Sequence, residues 1–220
     1  LPKEIYSIIN NSKLKDLETI SQDIAIANKT TFNKGYKKET IPRLEGGRIL
    51  KAWKLPPAKE HLMILGAEIA ATMLCDGKSS VLVKTLREEQ RIIESIEIDL
   101  QILEQGGLIL LDASCEIENI QIVENEINKI LNEAINNKFN KKQLERARKL
   151  VTNNIHFSME LSSQISSIMG SQYLWRRYQP IVESIKDISY WTSERLNKII
   201  FPLFNPSNSY TLIAKPEKQL

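Results

Sequence analysis

The sequence predicts an α+β fold, in which helices pack on one face of a mostly antiparallel sheet. Short stretches that alternate apolar and polar residues, as half-buried strands do, occur at residues 48–55, 91–103, 108–115 and 208–215. Longer stretches between them carry apolar residues at helical spacing. Strands and helices occur in runs instead of alternating regularly. This order favours an α+β domain over a doubly wound one.

The strand boundaries are marked by turn residues. The strand at 48–55 follows Gly46 and Gly47 and stops at Pro56, which cannot donate to a ladder. A second glycine pair after Gln105 predicts a hairpin between the strands at 91–103 and 108–115. In the first of these strands one face is expected to meet the core and the other solvent; the core set is Ile96, Ile98, Leu100 and Ile102, and the outer set is Glu97, Asp99 and Gln101.

The first helices flank a glycine-containing loop. Residues 59–74 are apolar around most of the helix circumference, which predicts a helix buried against the sheet. Gly77 is expected to end it, and the pair Ser79 and Ser80 to open a short helix over 79–89.

The later helices have clearer boundaries. Residues 118–138 form an amphipathic pattern, and Asn140 with Gln143 resembles a capping box that opens a longer helical stretch towards Tyr178. Pro180 is expected to end that stretch. Thr192 is the predicted N-cap of a short helix; its inward residues are expected to be Leu196, Ile199 and Ile200.

The first 44 residues are the least informative part of the sequence. Residues 5–9 and 14–26 have helical apolar spacing, and residues 28–38 are expected to form a polar, basic loop. We expect residues 1–45 to be a leading segment or the tail of a preceding domain, and residues 46–220 to be the main domain. Because Leu1 is not an initiator methionine and no signal peptide follows, we expect the sequence to be a piece of a longer protein.

Composition excludes some partners. The 30 basic and 27 acidic residues are mixed along every helix, which argues against a nucleic-acid-binding domain with a contiguous basic face. No apolar run approaches the roughly 20 residues that span a bilayer. The sequence does not indicate a compartment.

The residues that could perform catalysis are sparse. The two histidines, His61 and His156, are far apart and neither belongs to an H-x-x-E-H or H-E-x-x-H motif, so we expect no metal site and no catalytic residue in this chain. Cys75 and Cys115 have no metal-ligand spacing. A disulfide between them is possible, but the pattern favours two free thiols.

Two further motifs have simple explanations. Residues 76–80 superficially resemble a phosphate-binding loop, but the first glycine of that motif is replaced by Thr72. The cluster Trp175-Arg176-Arg177-Tyr178 is either a peptide or nucleic-acid contact or the solvated end of a helix. The second interpretation is favoured.

One combination of motifs resembles a known family. A buried helix leads into Gly77-Lys78-Ser79-Ser80, then Leu82, then Leu86-Arg87-Glu88-Glu89 and a strand. This is similar to the G-x-S-S-x-L…L-R-E region of the pitrilysin and insulinase type of zinc metallopeptidases, or inverzincins. That family includes the mitochondrial processing peptidases and the core proteins of the bc1 complex. The resemblance covers about residues 46–216, with weaker matches at 53–56, 107–109, 140–149, 192–196 and 208–216.

The resemblance implies a specific role for the chain. Members consist of two homologous halves or subunits, of which one carries H-x-x-E-H and zinc. The other half is metal-free and supplies an arginine and a tyrosine that hold the peptide substrate. This chain resembles the metal-free, non-catalytic C-terminal half, with Arg87 at the arginine position. We therefore expect no cofactor in this chain, zinc in a homologous partner half, and no peptidase activity of the chain by itself.

The tyrosine position departs from the family pattern. It is occupied by Glu94, and an ionised carboxylate would repel a substrate oxyanion that a phenol could stabilise. Either the function is altered, or Arg87 and Arg91 carry the substrate contact. For Arg87, an ion pair with Glu88, Glu89 or Glu94 is an equal alternative to substrate binding. The alternative for the whole chain is a proteolytically inactive structural or interaction protein of the same fold.

Overall fold

The computed structural model describes residues 3–13, 31–136, 139, 141–175 and 180–217, and contains a five-stranded sheet with helices. The strands are β1 (Gly35–Ile41), β2 (Gly47–Leu55), β3 (Ser95–Gln101), β4 (Gly107–Cys115) and β5 (Tyr210–Pro216). Their order is β1-β5-β2-β4-β3, and only the β1–β5 pairing is parallel. The predicted α+β class with a mostly antiparallel sheet is confirmed.

The helices are α1 (Lys3–Asn10), α2 (His61–Cys75), α3 (Ile120–Asn136), α4 (Lys141–Ser158), α5 (Ser162–Leu174), α6 (Ile181–Ile188) and α7 (Ser193–Arg195). A π-helical turn, Val83–Glu89, lies between α2 and β3 and is called the 83–89 turn below. A second π-helical turn, Leu196–Ile200, extends α7 and leads into a 3₁₀ turn at Phe201–Phe204. No helix among these described segments is both long and apolar enough to cross a membrane.

The core lies on the face of the sheet to which α2 and α3 pack. Alternate residues of β2 and β4 are buried there, among them Ile49, Trp53, Ile109 and Leu111. The indole of Trp53 also donates to the carbonyl of Asn205 at 2.8 Å. α2 is buried along most of its length, as predicted from its apolar circumference.

Helix α2 comes close to the segment before α7. An ideal Cβ at Gly66 would lie 2.6 Å from the indole of Trp191 and 2.8 Å from Ile200 Cδ1. The Trp191 indole nitrogen donates to the Leu62 carbonyl at 3.0 Å. The absence of a side chain at Gly66 therefore lets a fully buried tryptophan pack on the helix.

Three sequence predictions were wrong in detail. Residues 35–38, expected in a loop, belong to β1, whose exposed side chains give no apolar alternation. The expected single stretch towards Tyr178 is two helices, because the chain turns at 159–161 between α4 and α5. Ile199, expected to face inward, is 37% exposed.

Other predictions agree with the structure, and some concern residues that the structure does not describe. Thr192 caps α7 by accepting from the Arg195 amide at 3.3 Å, and the helix over residues 5–9 is confirmed as part of α1. The strand expected at 91–103 is shorter, at Ser95–Gln101, and is followed by the predicted hairpin to β4. Residues 14–26, Asn140 and Arg176–Tyr178 fall outside the described residues.

Candidate functional site: the 83–89 turn and the edge strand

The loop before the 83–89 turn is fixed by its own backbone. Gly77 has a φ of +73°, a left-handed conformation that glycine adopts without steric cost. The Ser80 hydroxyl donates to the Gly77 carbonyl at 2.7 Å, and Arg146 of α4 donates to the Asp76 carbonyl at 2.7 Å. Turn geometry thus accounts for Gly77, and the bond across the turn to the Gly77 carbonyl accounts for Ser80; the expected capping of the next helix by the serine side chains is not seen, because the residue before the 83–89 turn is Leu82 and no side chain caps it.

The 83–89 turn is widened relative to an α-helix. The amide of Gln90 donates to the carbonyl of Thr85 at 3.0 Å, a step of five residues instead of four. π-helical turns of this kind are uncommon and occur frequently at functional sites. Leu86 on the inner side is fully buried, which directs its neighbour Arg87 towards the surface.

Arg87 forms an ion pair with its sequence neighbour. Its guanidinium contacts Glu88 Oε1 through Nε at 3.0 Å and Nη2 at 2.9 Å, and both side chains are 38% exposed. The ion pair anticipated from the sequence therefore exists, with Glu88 as the partner. An exposed pair of this kind contributes about 1 kcal/mol or less, so a substrate group could displace Glu88 at little cost.

Arg91 and Glu94 lie in the connection between the 83–89 turn and β3. Arg91 is exposed and has a φ of +55°, which is unusual for a residue with a side chain. The Glu94 amide donates to the Ser114 carbonyl at 2.9 Å, and its carboxylate accepts a long hydrogen bond, 3.4 Å, from the Ser114 hydroxyl. Burial raises the pKa of the Cys115 thiol to about 11, and the negative charges of Glu94 and Glu116 add to this shift.

The three predicted substrate-binding residues therefore lie close together in sequence, Arg87 on the 83–89 turn and Arg91 and Glu94 in the connection that follows it. Arg87 contacts Glu88, and Glu94 contacts Ser114 on the neighbouring strand. The turn that carries Arg87 packs against β3, one of the two edge strands of the sheet. Arg87 therefore lies on a π-helical turn beside a sheet edge, and the connection after this turn contains a left-handed residue, Arg91.

The histidines have structural surroundings. His61 is the first residue of α2, and its Nε2 lies 3.1 Å from Asp187 Oδ2 of α6. His156 is exposed on α4. Within the described residues, no group of three or more histidine, cysteine, aspartate or glutamate side chains is arranged to hold a metal ion. Cys75 and Cys115 are free thiols, as the sequence favoured.

A groove follows the free edge of β3, and we call it the β3 groove. Its volume is about 520 Å³, within the range of roughly 300–1,000 Å³ typical of ligand sites. One wall is a single face of α2, formed by Glu68, Ala71, Thr72 and Cys75. The other wall is β3 and the residue after it, with Glu97, Ile98, Asp99, Leu100 and Ile102. The sequence could not reveal this groove, because the alternation in β3 does not show that the strand is at an edge.

The electrostatics of the β3 groove are negative. Four carboxylates line it, Glu68, Asp76, Glu97 and Asp99. Burial raises the pKa of the half-buried Cys75 thiol, and the negative charges of Glu97 and Asp76 raise it further. The surroundings therefore keep the Cys75 thiol protonated, and the groove favours a positively charged occupant.

Comparison with known proteins assigns the fold to a family. Residues 2–151 match the family model described as the peptidase M16 inactive domain. No curated protein gives a match.

Solved structures give the same fold at low sequence identity. A protease from Helicobacter pylori is 14% identical with a TM-score of 0.82, over 98% of this chain and 53% of that chain. A peptidase M16 inactive domain from Pseudomonas fluorescens is 12% identical with a TM-score of 0.74, over 84% and 44%. A chain of complex III2 from Candida albicans is 14% identical with a TM-score of 0.70, over 84% and 46%. The present chain thus spans about half the length of each.

Proposed function

Since this chain belongs to the peptidase M16 inactive-domain family, we propose that it is the metal-free half of a zinc metallopeptidase. In this role it forms one wall of the proteolytic chamber and binds peptide substrate for a homologous, zinc-bearing half. The observation that carries the proposal is the family match over residues 2–151, which identifies a peptidase-type domain of the inactive kind.

The 83–89 turn supplies the substrate contact in this proposal. Arg87 is half exposed, its ion pair with Glu88 is weak, and the turn beneath it is held by the buried Leu86. A guanidinium in this position can donate two hydrogen bonds to a peptide carbonyl or to an oxyanion. Arg91, in the connection after this turn, adds a second positive charge, whereas Glu94 would favour a basic substrate side chain nearby.

The experiment is to isolate this chain alone and in its natural assembly and to measure zinc and peptide hydrolysis in both. We expect neither tightly held zinc nor hydrolysis for the chain alone. We expect both for the assembly, with zinc held by the partner's H-x-x-E-H motif. Stoichiometric zinc on the isolated chain would contradict the proposal.

The second candidate is a structural or interaction protein of the same fold. It is favoured by Glu94, which stands where the related peptidases have a substrate-binding tyrosine, and by the fold shared with a chain of complex III2. An assembly whose partner lacks H-x-x-E-H and which hydrolyses no peptide would support this candidate over the first.

A further inference from the structure

We infer that two adjoining cavities near the start of β5 bind a small carboxylate that carries an unbranched apolar chain, such as a medium-chain alkanoate. The larger one, called the Tyr210 cavity here, has a volume of about 350 Å³, and the smaller one, the Trp53 cavity, about 300 Å³. Phe32 and Lys54 line both cavities, which therefore adjoin. The site shares no residue with the substrate contact of the proposed function and goes beyond that function.

The floor of the Tyr210 cavity is the face of the sheet opposite to the core. Trp53 points into the core, so its neighbours Ala52 and Lys54 point to the other face. Ala52 lies opposite Tyr210 of β5, and Lys54 lies opposite Leu108 of β4. These four side chains line the cavity together. Because Ala52 has the smallest of the four side chains, its position leaves space between the others.

The walls of the Tyr210 cavity are apolar and only partly covered. Leu103, in the turn between β3 and β4, is 54% exposed, and Tyr210 is 37% exposed. Half-buried Phe32 lines the cavity as well. The Tyr210 ring packs on Gly35, where an ideal Cβ would lie 2.8 Å from it, so this wall has a fixed position. An apolar chain in the cavity would remove these exposed side chains from water, which favours binding.

The charge of the two cavities favours an anion. Lys54 lines both cavities and Lys34 lines the Trp53 cavity, whereas no carboxylate is among their lining residues in the part of the chain that the structure describes. Lys37, close by in sequence, pairs with Glu39, but neither of the two lining lysines has an ion pair with another described residue. A ligand carboxylate could therefore bind an ammonium without displacing an existing partner.

The two properties together determine the class of ligand. The apolar chain lies in the Tyr210 cavity, whose volume is within the range of roughly 300–1,000 Å³ that is typical of ligand sites. The carboxylate lies beside Lys54, where the cavities adjoin. A dicarboxylate would bury its second charge between apolar walls, and a peptide would bring amide groups that these walls leave without partners. A single carboxylate on a plain hydrocarbon chain avoids both costs.

The test measures binding of octanoate to the intact protein that contains this chain by isothermal titration calorimetry. Octylammonium has the same chain and the opposite charge, and we expect it to bind at least about tenfold more weakly. Hexanoate lacks two methylenes and should bind about five- to fifteenfold more weakly, because each buried methylene contributes up to roughly fourfold. Equal binding of octanoate and either control, or no binding of octanoate, would overturn the inference.

Variants locate the site. Ala52→Phe fills the floor of the Tyr210 cavity, and Lys34→Gln/Lys54→Gln removes both charges; each is expected to weaken octanoate binding at least about tenfold. The control Lys149→Gln/Lys215→Gln makes the same change of charge at exposed residues of α4 and β5 that line neither cavity, and should change binding less than about twofold. The lysine variants alter only exposed side chains, so they test the site even if Ala52→Phe does not fold. Equal effects of the two lysine pairs would overturn the inference.

Discussion

Lys51 and Glu124 face each other inside the domain, with 3.9 Å between Nζ and Oε1 and both side chains more than nine-tenths buried. The Lys51 ammonium also donates to the Thr211 hydroxyl at 2.8 Å, and Glu124 accepts from the Tyr36 hydroxyl at 2.9 Å. The network joins β1, β2 and β5 to α3. It explains how a polar edge strand, β1, is tied to the core.

Removing one charge from this pair should be costly. Burial already lowers the pKa of Lys51, and Glu124 is the charge that opposes this shift. Glu124→Gln keeps an acceptor for Tyr36 but leaves the ammonium without its counter-charge, so we expect a loss of about 3 kcal/mol in the free energy of unfolding, measured with urea. The double variant Lys51→Met/Glu124→Gln should recover most of that loss. A single variant as stable as wild type would show that the pair is unimportant.

The deprotonation of the Tyr36 hydroxyl should be measurable. Burial and Glu124 raise its pKa from 10.0 to about 12, so between these pH values the folded chain keeps a proton that the unfolded chain has lost. The contribution of Tyr36 to the free energy of unfolding is therefore fully present below pH 10 and declines as the pH rises towards 12. The tyrosinate absorbance of wild type minus that of Tyr36→Phe should have its midpoint near pH 12. A midpoint at 10 would contradict the hydrogen bond.

Two glycines in helices should respond oppositely to alanine. A Cβ at Gly66 meets the Trp191 ring at 2.6 Å, so Gly66→Ala should destabilise the fold by about 1–3 kcal/mol. Within the part of the chain that the structure describes, no atom beyond the adjoining residues and backbone of α5 lies within 4 Å of an ideal Cβ at Gly170, so Gly170→Ala should stabilise by up to about 1 kcal/mol. Thermal unfolding measures both. A Gly66→Ala variant as stable as wild type would contradict the packing of Trp191 on α2, and a destabilised Gly170→Ala variant would contradict the open space at that position.

The two left-handed residues around the 83–89 turn form another pair. Gly77→Ala should destabilise the fold by about 1–2 kcal/mol, because its φ is +73° and a Cβ would lie 2.7 Å from Arg146 Nη2. Arg91→Gly removes strain at a φ of +55° and should leave stability unchanged or raise it by up to about 1 kcal/mol. A marked loss in urea unfolding of Arg91→Gly would indicate that the arginine side chain, and not its backbone, is important for the fold.

The sequence predicted the parts of the fold that have a buried face. β2 and α3 bury one side of a regular pattern, so their apolar spacing was sufficient. β1 buries almost nothing, and its sequence of lysines and a glutamate reads as a loop. The break between α4 and α5 contains no glycine or proline that would announce it.

The candidate site could be predicted only in part. The family motif located Arg87, Arg91 and Glu94 along the chain, and their roles in substrate binding remain predictions. The π-helical conformation of the 83–89 turn, in which Val83 and Leu86 are buried, has no recognisable sequence pattern. The β3 groove depends on strand order, which only tertiary structure determines.

The most direct test of the proposed function is the kinetics of Arg87→Ala in the assembled peptidase. Lys84→Ala is the control, since Lys84 lies on the same turn, is exposed and pairs only with Glu89 at 3.5 Å among the ion pairs described. We expect kcat/KM for peptide hydrolysis to fall roughly 10–100-fold for Arg87→Ala, because a charged hydrogen bond to substrate is lost, and to stay within about twofold for Lys84→Ala. Gel filtration should show both variants assembled. Full activity of the Arg87→Ala assembly, or loss of assembly with that variant, would contradict a substrate-binding role for Arg87.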